Sequence, residues 1–169
     1  MKIILYMAAT PNGYIARNDK STPWSNEDWQ SFTTMVNKLG NLVIGRKTYE
    51  IMKKFRTFSL FQNNPTIIVV SSKKRKSTSC TFVKSPKEAI SMLKKKGFGK
   101  VLVAGGGKLN SSFMKQKLID EIYLDIEPII FGRGIQLFKE DIFEAKLKLI
   151  GTKKLNFNTI QLHYKIIKK

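Results

Sequence analysis

The stretch Val101-Leu-Val-Ala-Gly-Gly-Gly-Lys-Leu-Asn110 decides how this chain is read. Its four leading apolar residues, Val101 to Ala104, predict a short buried strand. Three glycines follow, and a helix is predicted from Leu109 to about Gln116. Glycine allows backbone angles that other residues avoid and lets a ligand approach the main chain closely. A helix that starts straight after such a turn aims unpaired N–H groups and a partial positive charge at the space above it. Phosphate is the usual occupant. The run is neither the dinucleotide fingerprint G-x-G-x-x-G nor the P-loop G-x-x-x-x-G-K-[ST], so alone it also fits a tight turn that binds nothing.

Two further turns of similar character precede it. In Leu42-Val-Ile-Gly-Arg-Lys-Thr48 a strand ends at Gly45, the cations Arg46 and Lys47 follow, and Thr48 can cap or begin a helix. After Ile67-Ile-Val-Val70 come Ser71, Ser72 and four consecutive cations, Lys73 to Lys76. Each has an ordinary reading, as a surface helix start with incidental cations or as a solvated charge run. Three strand ends carrying such turns in one small sheet argue for an extended, multiply phosphorylated ligand in the crevice beyond those ends. A dinucleotide fits, and the cations after Ser72 favour NADPH over NADH.

Periodicity and punctuation predict strands near 2–9, 41–45, 66–71, 80–84, 100–104 and 121–127, then a closing pair near 145–155 and 158–167. Helices are predicted near 26–39, 47–54, 86–96 and 109–116. Short apolar strands followed by helices imply an α/β fold with a mostly parallel central sheet of about eight strands, flanking helices and an antiparallel C-terminal edge. No composition break or repeat divides the chain, so residues 1–169 read as one domain.

A hydrophobic content of 42% with 25% charged residues describes an ordinary globular chain. Its one cysteine, Cys80, cannot form an intramolecular disulfide and fits a reducing compartment. With one histidine, zinc-type ligand sets are nearly excluded, and no metal is expected. The apolar run in Met1-Lys-Ile-Ile-Leu-Tyr-Met-Ala-Ala9 is short for a signal peptide and reads better as a first core strand. No run approaches a membrane span, which points to a cytoplasmic protein without a membrane partner. The net charge of +19 attracts anions. Its lysines are scattered and not interleaved with aromatics as a base-stacking platform requires, which favours a solvated surface over specific nucleic-acid binding.

Asp28 is the acid that stands out. In Trp24-Ser-Asn-Glu-Asp-Trp-Gln-Ser-Phe32, Ser25 can cap a helix and Asp28 then occupies the third helical position, as in a capping box. Against that reading, Asp28, Phe32, Met35 and Leu39 share one helix face. A carboxyl that continues an apolar stripe is desolvated, which raises its pKa and suits it to handling protons. The lone His163 lies in Thr159-Ile-Gln-Leu-His-Tyr-Lys-Ile166, where alternation puts Ile160, Leu162, Tyr164 and Ile166 on one face. Thr159, Gln161, His163 and Lys165 then take the other, read as the solvent side, so His163 is a poor catalytic candidate.

In this order the pieces resemble the dihydrofolate reductase superfamily, which includes the reductase domain of the riboflavin-pathway deaminase/reductase. Ala8-Ala-Thr-Pro-Asn-Gly-Tyr-Ile-Ala16 looks like its first strand and nicotinamide loop, and Pro23-Trp24, Asp28 and Phe32 look like its acid-bearing helix. Gly45-Arg-Lys-Thr48, Val70-Ser-Ser72 and Ala104-Gly-Gly-Gly107 look like its NADPH contacts. The resemblance implies that the backbones of Ala8 and Ile15 hold the nicotinamide carboxamide. It implies that Gly45, Arg46, Lys47 and Thr48 hold phosphates, with Ser71, Ser72 and Lys73 near the 2′-phosphate. Gly105-Gly106 corresponds to a strained cis pair, with Gly107, Lys108 and Leu109 at the pyrophosphate. Asp28 is implied to bind a pyrimidine-like ring and assist protonation, with Trp24, Phe32 and Asp125 also on the substrate side.

Two departures separate subfamilies. Dihydrofolate reductases usually place an arginine just before the third strand, where this chain has Pro65, and a threonine near the end of the sixth, where it has Asp125. Glu127-Pro-Ile-Ile-Phe-Gly-Arg-Gly-Ile-Gln-Leu-Phe138 resembles the riboflavin-type signature instead. The implied activity is therefore NADPH-dependent hydride transfer to a C=N-type carbon of a pyrimidine or pterin, of the 5-amino-6-(5-phosphoribosylamino)uracil reductase kind, with a homodimer compatible. A true dihydrofolate reductase and a non-catalytic basic nucleic-acid-binding protein are the competing readings.

Overall fold

Leu42-Val-Ile44 and Val101-Leu-Val103 are wholly inaccessible to solvent, as continuous apolar runs should be at the centre of a sheet covered on both faces. A computed structural model of the chain describes residues 1–73 and 77–168. The chain runs β1 (Lys2–Ala9), β2 (Tyr14–Arg17), α1 (Asn26–Leu39), β3 (Asn41–Gly45), α2 (Arg46–Lys54), β4 (Thr66–Val70) and β5 (Thr81–Val83). It continues with α3 (Pro86–Lys95), β6 (Lys100–Val103), α4 (Gly107–Lys115), β7 (Glu121–Ile126), β8 (Gly134–Gln136), β9 (Lys146–Lys154) and β10 (Ile160–Ile167). Eight strands form one sheet in the order β5-β4-β3-β6-β1-β7-β10-β9. The first six of these are mutually parallel, and β10 and β9 close the edge antiparallel. This is the expected α/β architecture.

Each sheet face has its own core. Leu5, Val43, Ile68, Val103 and Phe113 pack beneath α3 and α4, while Tyr6, Phe32, Val36, Ile44 and Tyr49 pack beneath α1 and α2. Because the parallel strands all point one way, the C-terminal ends of β1, β3, β4 and β6 open on a common rim. No helix among the described residues is long and apolar enough to cross a membrane.

Three differences from the sequence reading have physical causes. Strands β2 and β8 pair as a separate two-stranded sheet that was not anticipated. At four and three residues they are too short to show a period, and contacts distant in sequence hold them, such as the Leu137 N–H donating to the Gly13 carbonyl at 2.9 Å. Helices α2 and α4 start one and two residues earlier than expected, directly on the glycine turns.

The third difference is the facing of β10. Thr159 and Gln161, assigned to solvent, are 2% and 8% exposed, whereas Ile160, assigned to the core, is 40% exposed. Alternation defines two faces but not which one is covered, and here both are covered in part: Tyr164 and Ile166 pack on a core cluster as expected, while Thr159 and Gln161 are buried on the side shared with Tyr6 and α1. His163 is half-buried on that side, stacked on Tyr123 with ring centroids 3.8 Å apart and 3.1 Å from a Glu121 oxygen.

Candidate functional site

Serine caps two helices: Ser25 Oγ accepts the Asp28 N–H at the start of α1, and Ser85 Oγ accepts the Glu88 N–H at the start of α3. Helices α2 and α4 have glycine at the same position, Gly45 and Gly106, and no side-chain cap. Their unsatisfied N-termini rise from the adjacent strands β3 and β6. They lie close together: the Gly45 N–H donates to the Gly105 carbonyl at 2.8 Å, and a Cβ on Gly106 would stand 3.5 Å from Thr48 Oγ1. Two of the phosphate-like turns thus form one surface. Thr48 sits inside α2 rather than capping it.

Within that surface the glycines have different reasons. The Gly105–Gly106 peptide is cis, Gly105 has φ +76°, and a Cβ there would meet Met7 Sδ at 3.1 Å. A Cβ on Gly107 would stand 2.5 Å from the Gln136 carbonyl oxygen, so the protein's own backbone requires this glycine. Leu109 is a core residue whose N–H already donates to the Gly106 carbonyl at 2.8 Å. Among the described residues no backbone acceptor takes the N–H of Gly107 or Lys108. Gly107→Ala is expected to destabilise the fold by about 1–3 kcal/mol through overpacking, against the roughly 1 kcal/mol gain that alanine brings to a helix interior. A thermal melt reads the sign.

Cations frame this surface unequally. Arg46 is tied to Glu50 at 2.8 and 3.0 Å, while Lys47 and Lys108 are exposed. At the end of β4, Ser71 is buried and its hydroxyl closes a local turn, donating to the Lys73 carbonyl and accepting the Lys73 N–H, both at 3.1 Å. Ser72 and Lys73 are exposed. Lys74, Arg75 and Lys76 lie outside the described residues.

The second half of the site is acidic, in a chain of net charge +19. Asp28, Asp125 and Glu127 are all buried, and no lysine or arginine is buried among the described residues. Asp125 lies opposite Ala8 in the β1–β7 ladder. Its Oδ2 accepts from the Tyr6 hydroxyl at 2.5 Å and its Oδ1 from Gln161 Nε2 at 2.8 Å. The Asp28 carboxyl shares this chamber, and its buried Oδ1 receives no donor among the described residues. Burial, then the neighbouring Asp125 and Glu127 carboxyls, push Asp28 up to about 9. Burial also raises Asp125, opposed by its hydrogen bonds with Asp28, Tyr6 and Gln161. Both carboxyls are thereby raised above the ordinary carboxylate range.

The capping-box question resolves by division of labour. Ser25 does cap α1 through the Asp28 N–H, but the Ser25 N–H is taken by Glu127 Oε1 at 3.2 Å, not by the Asp28 carboxyl. Glu127 also accepts the Ser25 hydroxyl at 2.7 Å. The Asp28 side chain is thereby released from helix capping. Phe32, next on the stripe, packs on Tyr6 with centroids 5.5 Å apart, and on Trp29 and Phe61. Trp24 instead stacks on Phe131 at 6.1 Å, in a group with Tyr14. Ile15 is buried on β2 at a bulge between the pairs Tyr14–Gln136 and Ala16–Ile135, so it has no partner residue on β8.

Comparison with known proteins fits this architecture. Residues 1–160 match the family model of the RibD C-terminal domain. The chain belongs to that family. The uncharacterized protein YwjB of Bacillus subtilis (strain 168) is 31% identical over 169 residues, covering 96% of this chain and 97% of YwjB. A putative riboflavin biosynthesis protein from Shewanella sp. PV-4 superposes with a TM-score of 0.85 at 23% identity, over 99% of this chain and all of that one. Acinetobacter baumannii RibD gives 0.80 at 16% identity, covering 98% of this chain but 58% of RibD. At such identities the solved structures establish the shared fold.

In this member of the RibD C-terminal domain family, the sequence reading missed Tyr6, Gln161 and Glu127 around the dyad. Tyr6 had left a signal: a tyrosine inside the apolar strand Lys2–Ala9 needs a partner for its hydroxyl. Gln161 was hidden by the facing of β10.

Proposed function

We propose that this protein is an NADPH-dependent reductase that adds a hydride to a C=N-type carbon of a pyrimidine or pterin, in the manner of the riboflavin-type reductases. The observation that carries the reading is the meeting of two uncapped helix N-termini at Thr48 and Gly106, on the rim where β1 ends with buried Ala8 opposite Asp125 of the dyad. The rim fits a dinucleotide. Among the described residues a Cβ on Gly106 would touch only Thr48, so the main chain there is open to close approach, and the Gly107 and Lys108 N–H groups have no backbone acceptor. Thr48, Lys47, Gly106, Gly107 and Lys108 would hold phosphates, Ser72 and Lys73 the 2′-phosphate, and the backbones of Ala8 and Ile15 the carboxamide.

When bound, NADPH supplies the hydride. The chain's own work is then to place the acceptor carbon, exclude water and manage one proton. Phe32 offers an aromatic wall for a flat ring, and Asp28, protonated at neutral pH, delivers its proton to the substrate nitrogen as the adjacent carbon gains the hydride. The acid regains a proton from solvent after product leaves, which balances the step. The test is NADPH oxidation followed spectrophotometrically against dihydrofolate, dihydropterins and the ribosylamino-pyrimidine phosphate. Turnover of the last two supports the reading, and no oxidation with any of the three removes it.

Cofactor choice is separately testable. NADPH is expected to bind about tenfold or more tightly than NADH, the size of one charge-assisted contact. Titration of the fluorescence of Trp24 and Trp29 measures both affinities. Lys73→Ala is expected to erase much of the difference, and equal affinities unaffected by that change would remove Lys73 from the site.

A further inference from the structure

We propose that Tyr6 and Gln161 are positioning residues that hold Asp125 as the anion and thereby place the dyad's shared proton on Asp28. The inference rests on the proposed role of Asp28 for its catalytic consequence, but its geometry stands independently. Two buried carboxyls joined by a hydrogen bond must share a proton, since like charges in contact cannot both ionise cheaply. Which one ionises depends on which receives donors. Asp125 receives one on each oxygen, from Tyr6 at 2.5 Å and Gln161 at 2.8 Å. Asp28 Oδ1 is buried and receives none among the described residues. An unpaired buried acceptor is costly as part of an anion and far less so as part of a neutral acid.

The donors are themselves held. Gln161 Nε2 also lies 3.2 Å from the Tyr6 hydroxyl oxygen and 3.3 Å from Ser31 Oγ, so β1, α1 and β10 all fix the amide. Two charges facing the dyad push the same way. From the end of β7, Glu127 disfavours a charge on Asp28, and from β9, Lys153 favours one on Asp125. The resulting polarity is a neutral acid on α1 backed by a carboxylate on β7. After transfer the two carboxylates repel each other until Asp28 regains a proton from solvent, which favours reprotonation of the acid.

The test is titration of the aspartate carboxyls by 13C NMR in the intact, ligand-free protein, with Asp28→Asn and Asp125→Asn assigning the two signals. In the unaltered protein the Asp28 carboxyl is expected to stay protonated through neutral pH while Asp125 ionises first. Gln161→Met and Tyr6→Phe each remove one donor, and each is expected to lower the Asp28 midpoint and raise that of Asp125 by about one pH unit or more. Tyr6 is deeply buried, and if its variant does not fold, Gln161→Met carries the test alone. Midpoints unmoved by loss of the donors, or a proton found on Asp125 in the unaltered protein, overturn the proposal. A rate-versus-pH profile separates it from the function: if the midpoints move and the profile does not, the positioning role stands and the acid role of Asp28 falls.

Discussion

Asp28→Asn is expected to lower turnover by roughly 100-fold or more, the usual size of a general-acid contribution, while leaving the chain folded. Asparagine keeps the shape of a protonated aspartic acid and can still donate a hydrogen bond to Asp125, but it has no proton to give. The same variant should change how stability depends on pH. In the folded protein Asp28 is raised from its ordinary value near 3.8 to about 9, so between those limits the folded state binds a proton that the unfolded chain has released. Stability therefore falls as pH rises through this window, by up to about 1.4 kcal/mol per pH unit, and levels off above it. Removing the carboxyl should flatten most of that slope and leave the variant as stable as the parent, or more so, at neutral pH. Chemical denaturation from pH 4 to 9 measures the slope. A variant with unchanged rate and unchanged slope would show that Asp28 neither holds nor delivers a proton.

The second large effect is expected at Gly106. Alanine there should weaken NADPH binding by roughly 10- to 100-fold, because the methyl group stands where the nucleotide backbone must come close. The fold should tolerate the change, since φ is −78° and the nearest atom to the new Cβ is Thr48 Oγ1 at 3.5 Å. That tolerance makes Gly106 more informative than either neighbour. Alanine at Gly105 is strained by its positive φ, and alanine at Gly107 collides with the Gln136 carbonyl. Fluorescence titration alongside a thermal melt reads both quantities. Full NADPH affinity in a stably folded Gly106→Ala protein would reduce the glycine run to a packing turn.

The strands and helices were legible wherever one local signal sufficed. Lys2–Ala9 and Asn41–Gly45 are apolar runs bounded by turn residues, and Asn26–Leu39 has a serine cap, an apolar stripe and a terminal Gly40 in the left-handed conformation. For the site, the stripe through Asp28 and Phe32 was readable because helical spacing alone aligns them. The local bonds of Ser71 and Leu109 were not readable: a hydroxyl or a helix-start N–H looks free in a sequence, and only the folded chain pairs them with Lys73 and Gly106.

Local pattern by itself therefore determined the α/β class, the order of the strands along the chain, the glycine turns at their ends and the one helix with an acid on its buried face. Tertiary structure decided the rest, because the deciding contacts join residues far apart in the chain. The β7–β10 pairing sets Gln161 opposite Asp125, and the two meet Tyr6 from β1, more than 100 residues away. The carboxyl that ionises is chosen by donors arriving from two other strands, not by any neighbour in sequence. Which face of β10 is buried follows from what lies against it, since alternation is symmetric between the two sides and burial is not.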